Sequence, residues 1–108
     1  MGKYKDGYYI QLPRKIFNDY DYETIPANSR WIYTVMCELE HKFTGKNEDF
    51  FFRSDEDLAR DCGVSVSTIA RYKKPLIKNG LVEHWNTHFR DPKTKRLSEK
   101  KVSAYRIL

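Results

Sequence analysis

The chain has 108 residues and a formal net charge of +5, with aromatic residues making up 15%: enough for one core, too little to enclose a large substrate cavity as well. No apolar run approaches the roughly 18 residues a membrane span needs, and Lys3, Lys5 and Asp6 stand where a secretory signal would be apolar. These features exclude a membrane-spanning helical protein and lead us to expect one soluble, cytoplasmic domain over residues 1–108.

In chain order, Tyr8 to Leu12 combine partial alternation with aromatic residues and predict a short N-terminal strand. Pro13 then opens a helical turn through Ile16 and Phe17, and Asn18 to Ala27 reads as a connection. From Asn28 or Ser29, either able to cap, the apolar set Trp31, Ile32, Val35, Met36, Leu39 and Phe43 recurs at helical spacing. That pattern predicts a long helix ending near Thr44 and Gly45. Lys46 to Asp49 reads as a polar turn, and Phe50-Phe51-Phe52 as a small strand.

The most informative stretch follows, from Asp55 to Lys74. Ser54 is placed to cap a helix whose first turn holds Asp55, Glu56 and Asp57, where carboxylates suit the helix dipole. Leu58, Ala59 and Cys62 form its apolar face, and Gly63 can take the positive φ that ends it. Ser65 caps a second helix running from about Val66 to Asn79, with Val64, Ile69 and Tyr72 inward and Val66, Ser67, Thr68 and Arg71 outward. Pro75 should kink or tighten this helix, and Gly80 should end it with a left-handed residue. The layout is that of a helix-turn-helix over about 54–79. Beyond it, Leu81 to Phe89 and Lys101 to Leu108 predict two strands joined by a turn over Arg90 to Arg96.

Charge divides the chain at the second helix of this motif. From Ser65 onward eleven Lys and Arg face three acids, a balance of +8, whereas Met1 to Val64 carries nine against twelve, a balance of −3. A basic half of this kind suits a phosphate-binding surface, since neutralising phosphates releases condensed counterions. A merely solvated basic face would have the same composition.

Catalytic and metal-binding patterns are weak by comparison. Cys37 and His41 offer half of a metal site, while a structural zinc takes four ligands. His84 and His88 fall in a strand, where four residues span roughly 13 Å. The cysteines therefore read as buried free thiols of a reducing compartment. A metal-dependent nicking enzyme needs a closely spaced histidine pair beside a nucleophilic tyrosine, and His84-Trp-Asn-Thr-His88 does not supply that spacing. No phosphate-cradling glycine loop and no Ser, His and carboxylate grouping is evident. We expect no enzyme, no cofactor, no metal and no small-molecule ligand.

The order strand, short helix, long helix, Phe50-Phe51-Phe52 strand, helix-turn-helix and hairpin resembles the winged helix domains of Gram-positive plasmid and phage proteins. The opening Tyr9-Ile10-Gln11-Leu12-Pro13-Arg14-Lys15-Ile16-Phe17 resembles the leaders of replication initiators. Small winged helix proteins that mark plasmid transfer origins in conjugation are similar too. The resemblance implies an α+β winged helix-turn-helix fold, with about three main helices, a short N-terminal strand and a hairpin wing over about 81–108. It implies sequence-specific binding of double-stranded DNA in replication, transfer or transcription regulation. It also leaves open that the chain is the N-terminal portion of a longer initiator.

In helix-turn-helix proteins the second helix enters the major groove with its first residues at the base edges. That rule nominates Ser65, Ser67, Thr68 and Arg71, with Arg71 able to form a bidentate bond to guanine. Lys73, Lys74 and Lys78 are expected at phosphates. In the wing Arg90, Lys93, Lys95, Arg96, Lys100 and Lys101 lie within twelve residues and face only Asp91 and Glu99, while Asn86, Thr87 and His88 offer hydrogen-bonding groups. We expect this wing to supply much of the affinity and part of the base reading. A homodimer is expected to multiply specificity by pairing half-sites, with the aromatic N-terminal segment and the first long helix at its interface. The alternative is a winged helix that serves protein-protein contact without touching DNA.

Overall fold

Pro13 accepts the first backbone bond of a one-turn helix, α1 (Lys15–Asn18), which delivers Ile16 to the core. The computed structural model describes residues 12–44, 49–90 and 93–108. The strand expected at Tyr8 to Leu12, all but its last residue, therefore lies outside the described residues, as do Gly45 to Glu48 and Asp91 with Pro92.

The long helix, α2 (Ala27–Phe43), starts one residue before the two caps expected for it. Pro26 takes the N-cap position in extended geometry, and Ser29 is buried instead of capping. Its hydroxyl is used elsewhere, donating to the Tyr72 carbonyl at 2.5 Å. The buried face is Ile32, Tyr33, Met36 and Leu39, rotated slightly from the expected one. Trp31 is 49% exposed at its rim but anchored by its indole N–H, which donates to the Cys62 carbonyl at 2.8 Å.

Arg30 is the least expected feature of this region, only 5% exposed and without a carboxylate hydrogen-bond partner. Its guanidinium donates to the carbonyls of Ile16, Ile25, Tyr20 and Asp21, and lies 4.0 Å over the Tyr22 ring. A planar fork of five N–H donors satisfies several buried carbonyls at once. One side chain thus ties α1 and the connection after it to α2.

Three further helices and a sheet complete the chain. β1 (Phe51–Phe52) leads into α3 (Asp55–Cys62), α4 (Val66–Tyr72), α5 (Lys74–Lys78) and the hairpin β2 (Val82–Arg90) and β3 (Leu97–Ile107). The sheet is antiparallel with order β1-β3-β2, so the last strand lies between the other two. The architecture is α+β and compatible with a winged helix. Its core gathers Ile16, Ile32, Met36, Leu58, Ile69, Leu76 and Tyr105 from every layer.

Candidate nucleic-acid interface

The turn between α3 and α4 is fixed by residues whose roles were legible in advance. Ser54 accepts from the Asp57 amide at 3.0 Å, and Gly63 ends α3 in the left-handed region at φ 71. Val64 then donates to the Ala59 carbonyl at 3.0 Å, closing the turn. Ser65 accepts from the Thr68 amide at 3.2 Å, and its hydroxyl also meets those of Ser67 and Thr68. The front of α4 is therefore a patch of short neutral hydroxyls beside Val66, which is 41% exposed. Ile69 is fully buried and fixes which way the helix faces. Arg71 is exposed, with its guanidinium 5.3 Å over the Tyr72 ring.

The expected single helix from Val66 to Asn79 is broken at Lys73. Pro75 causes the break, because it lacks an amide donor and its ring collides with the carbonyl four residues earlier. Of the carbonyls freed there, that of Tyr72 takes the Ser29 hydroxyl. Gly80 at φ 72 ends α5, and the Leu81 amide returns to the Leu76 carbonyl at 2.9 Å.

Lys73 departs from the expectation that it meets phosphate. Its side chain is only 13% exposed, and its Nζ donates to Asp55 at 2.7 Å and to the Tyr105 hydroxyl at 3.0 Å. Burial works against the charge, but the hydrogen bonds to Asp55 and Tyr105 outweigh it and lift the ammonium above the usual lysine range. Lys74 and Lys78 remain exposed, and with Arg71 they have no carboxylate partner among the described residues.

In the hairpin, cross-strand pairs set what each side chain faces. His84 pairs with Tyr105, Asn86 with Ser103 and His88 with Lys101, all on the face toward the helices. Thr87, opposite Val102, points to the other face, so the three polar residues expected to act together divide two to one. His84 stacks on Tyr105 at 4.7 Å, and burial holds its pKa below the usual histidine value, helped by the charge of Lys73.

Lys93, Lys95, Arg96, Lys100 and Lys101 are exposed, and Arg90 closes β2 opposite Leu97 after an irregularity in the ladder. Lys95 takes a left-handed conformation at φ 59 in the connecting turn. β3 begins at Leu97, four residues before its expected start. Its 11 residues span roughly 36 Å at extended spacing, but Ala104 and Tyr105 are its only fully buried residues among those described.

A cleft of about 480 Å³ lies between the start of α3 and α4 and the strand β3. One wall is the first turn of α3 with Val66 of α4, and the other is Lys101, Val102 and Ser103 of β3. The structure thus brings the start of α4 and residues 101–103 of β3 to one groove. Glu56 is exposed at the α3 rim, and Asp57 pairs with Arg60. Among the described residues no three His, Cys, Asp or Glu side chains gather as metal ligands would. Burial pushes the Cys37 and Cys62 thiols up to about 11, so both stay protonated at neutral pH. No described helix is long and apolar enough to cross a membrane.

No protein-family model and no curated protein sequence matches the chain. Two solved structures share its fold. A Rep-DNA complex superposes with a TM-score of 0.59 at 15% identity, covering 93% of this chain and 74% of that one. The N-terminal domain of a DNA-binding protein superposes with a TM-score of 0.61 at 15% identity, covering 93% and 73%.

Proposed function

We propose that this chain is a winged helix domain that binds double-stranded DNA sequence-specifically, with β2–β3 as its wing and α4 as its recognition helix. One observation carries the reading: Val66, at the front of α4, and Lys101, on the basic hairpin, line the same cleft. Neutral hydroxyls suit close approach to base edges, and the cations flanking them suit the phosphates on either side. The likeness in fold to a Rep-DNA complex supports an origin, of replication or of transfer, as the place of action, with an operator as the other candidate.

The molecule acts by binding and not by catalysis in this reading. Two copies sit on adjacent half-sites, because one small module reads a short sequence and pairing multiplies specificity. Exposed Trp31 and Phe43 on α2, with Phe17 and Tyr22 before it, support an apolar contact between copies. Selection of duplexes from a random pool tests both points. The expected outcome is an enriched site bound at least roughly a thousandfold tighter than random duplex, carrying two protomers by sedimentation. A pool without enrichment contradicts sequence-specific binding, and a single protomer on every enriched site contradicts the dimer.

A further inference from the structure

The two walls of the cleft are joined by one side chain. Lys73, at the break between α4 and α5, donates to Asp55 on the α3 wall and to the Tyr105 hydroxyl on β3, and its Nζ lies 5.6 Å from the Tyr105 ring centroid. Asp55 itself lines the cleft. Tyr105 lies on the same face of β3 as Ser103 and Lys101, two and four residues further toward the tip. On the far side of Tyr105 the His84 ring stacks at 4.7 Å and extends the contact to β2. At the same break Ser29 of α2 holds the Tyr72 carbonyl. The break between α4 and α5, the first turn of α3 and β3 are therefore linked directly through one ammonium, with β2 packed on the same tyrosine.

We propose that Lys73 is a positioning residue that sets the wing against the recognition helix, so that both reach one duplex at once. The proposal rests on the duplex-binding reading above. A half-buried ion pair is an expensive way to add stability, because desolvation offsets much of its Coulombic gain. It is a way to specify geometry, since the carboxylate of Asp55 and the hydroxyl of Tyr105 must both come within reach of one ammonium. Apolar packing at the hairpin root would tolerate several tilts of the wing, whereas the Asp55–Lys73–Tyr105 bridge tolerates few. Two contact surfaces held in register bind as a chelate, the second engaging at the effective concentration the linkage provides. Loosening that linkage removes the advantage while leaving each surface chemically intact.

The test is a mutant cycle read by duplex affinity, with folding checked in parallel by circular dichroism and urea unfolding. Lys73→Met is measured in the wild-type chain and in the Lys95→Gln/Arg96→Gln background, whose wing no longer grips phosphate. The proposal expects a loss of roughly five- to tenfold in the first and under about twofold in the second, as coupled sites behave. Equal losses in both backgrounds would overturn it, since Lys73 would then touch DNA itself or act through the whole fold. No loss in either also overturns it. Tyr105→Phe removes only the hydroxyl and keeps the ring in the core. It carries the test should Lys73→Met fail to fold, with the same pattern expected at about two- to threefold. A wild-type chain that shows no salt-dependent duplex affinity would instead defeat the underlying reading, which separates the two failures.

Discussion

The two halves of this molecule differ in how many of their cations are committed to partners within the fold. Before the turn at Gly63, Arg30 is buried among carbonyls, Arg53 grips Asp61 through two bonds of 2.8 Å, and Arg60 pairs with Asp57. After it, Lys73 and Arg106 are similarly engaged, while Arg71, Lys74 and Lys78 stand exposed with no carboxylate partner among the described residues, and Lys93, Lys95, Arg96, Lys100 and Lys101 are exposed along the hairpin. The first half commits Arg30, Arg53 and Arg60 to carbonyls and carboxylates of its own, and the second holds more of its cations out at the surface. The lesson is that a count of Lys and Arg measures potential, while partner geometry decides which charges remain available to a polyanion.

That contrast can be broken most forcefully at Arg30. Arg30→Met is expected to cost about 3 kcal/mol in urea unfolding, because several buried carbonyls lose their donor together. The duplex affinity of the protein that remains folded should not change. A stability loss below about 1 kcal/mol would mean that water replaces the guanidinium readily and that the first half does not depend on it.

Arg71→Ala asks the opposite question of the second half. Duplex affinity should fall by about 2 kcal/mol with preference relaxed at one base position, and unfolding should move by less than about 0.5 kcal/mol, as usual for an exposed site. Uniform weakening across all sequences would instead make Arg71 a phosphate ligand. Gly63→Ala tests the joint between the halves. Nothing lies within 4 Å of the Cβ it would add, so its cost is the backbone strain at φ 71 alone, about 1 kcal/mol in urea unfolding. A neutral result would show that the turn can relax without its left-handed residue.

What the sequence revealed and what it hid follow from the range of the interactions involved. Ser54, Gly63, Ser65 and Gly80 act on amides and carbonyls within a few residues, so their roles could be read from neighbours. Lys73 and Lys74 are adjacent and identical in type, yet one is turned inward because Asp55 and Tyr105, 18 and 32 residues away, converge on it. Arg30 carries no local mark either, since the carbonyls it serves are defined by how the preceding connection folds back. The early start of β3 was hidden because Leu97-Ser98-Glu99-Lys100 lacks apolar alternation, whereas backbone pairing with β2 needs none. The cleft joins first-turn residues of α3 to a strand more than forty positions later, and no local pattern announces such a meeting.

The central claim is that the exposed cations of the second half meet duplex phosphates. It is tested most directly by measuring duplex affinity across a series of salt concentrations for the wild-type chain and for Lys95→Gln/Arg96→Gln. The account predicts binding that weakens steeply as salt rises, with a log–log slope shallower by about 1.8 in the variant, two phosphate contacts having been removed. Identical slopes, or a wild-type chain that ignores duplex DNA even in dilute buffer, would contradict it.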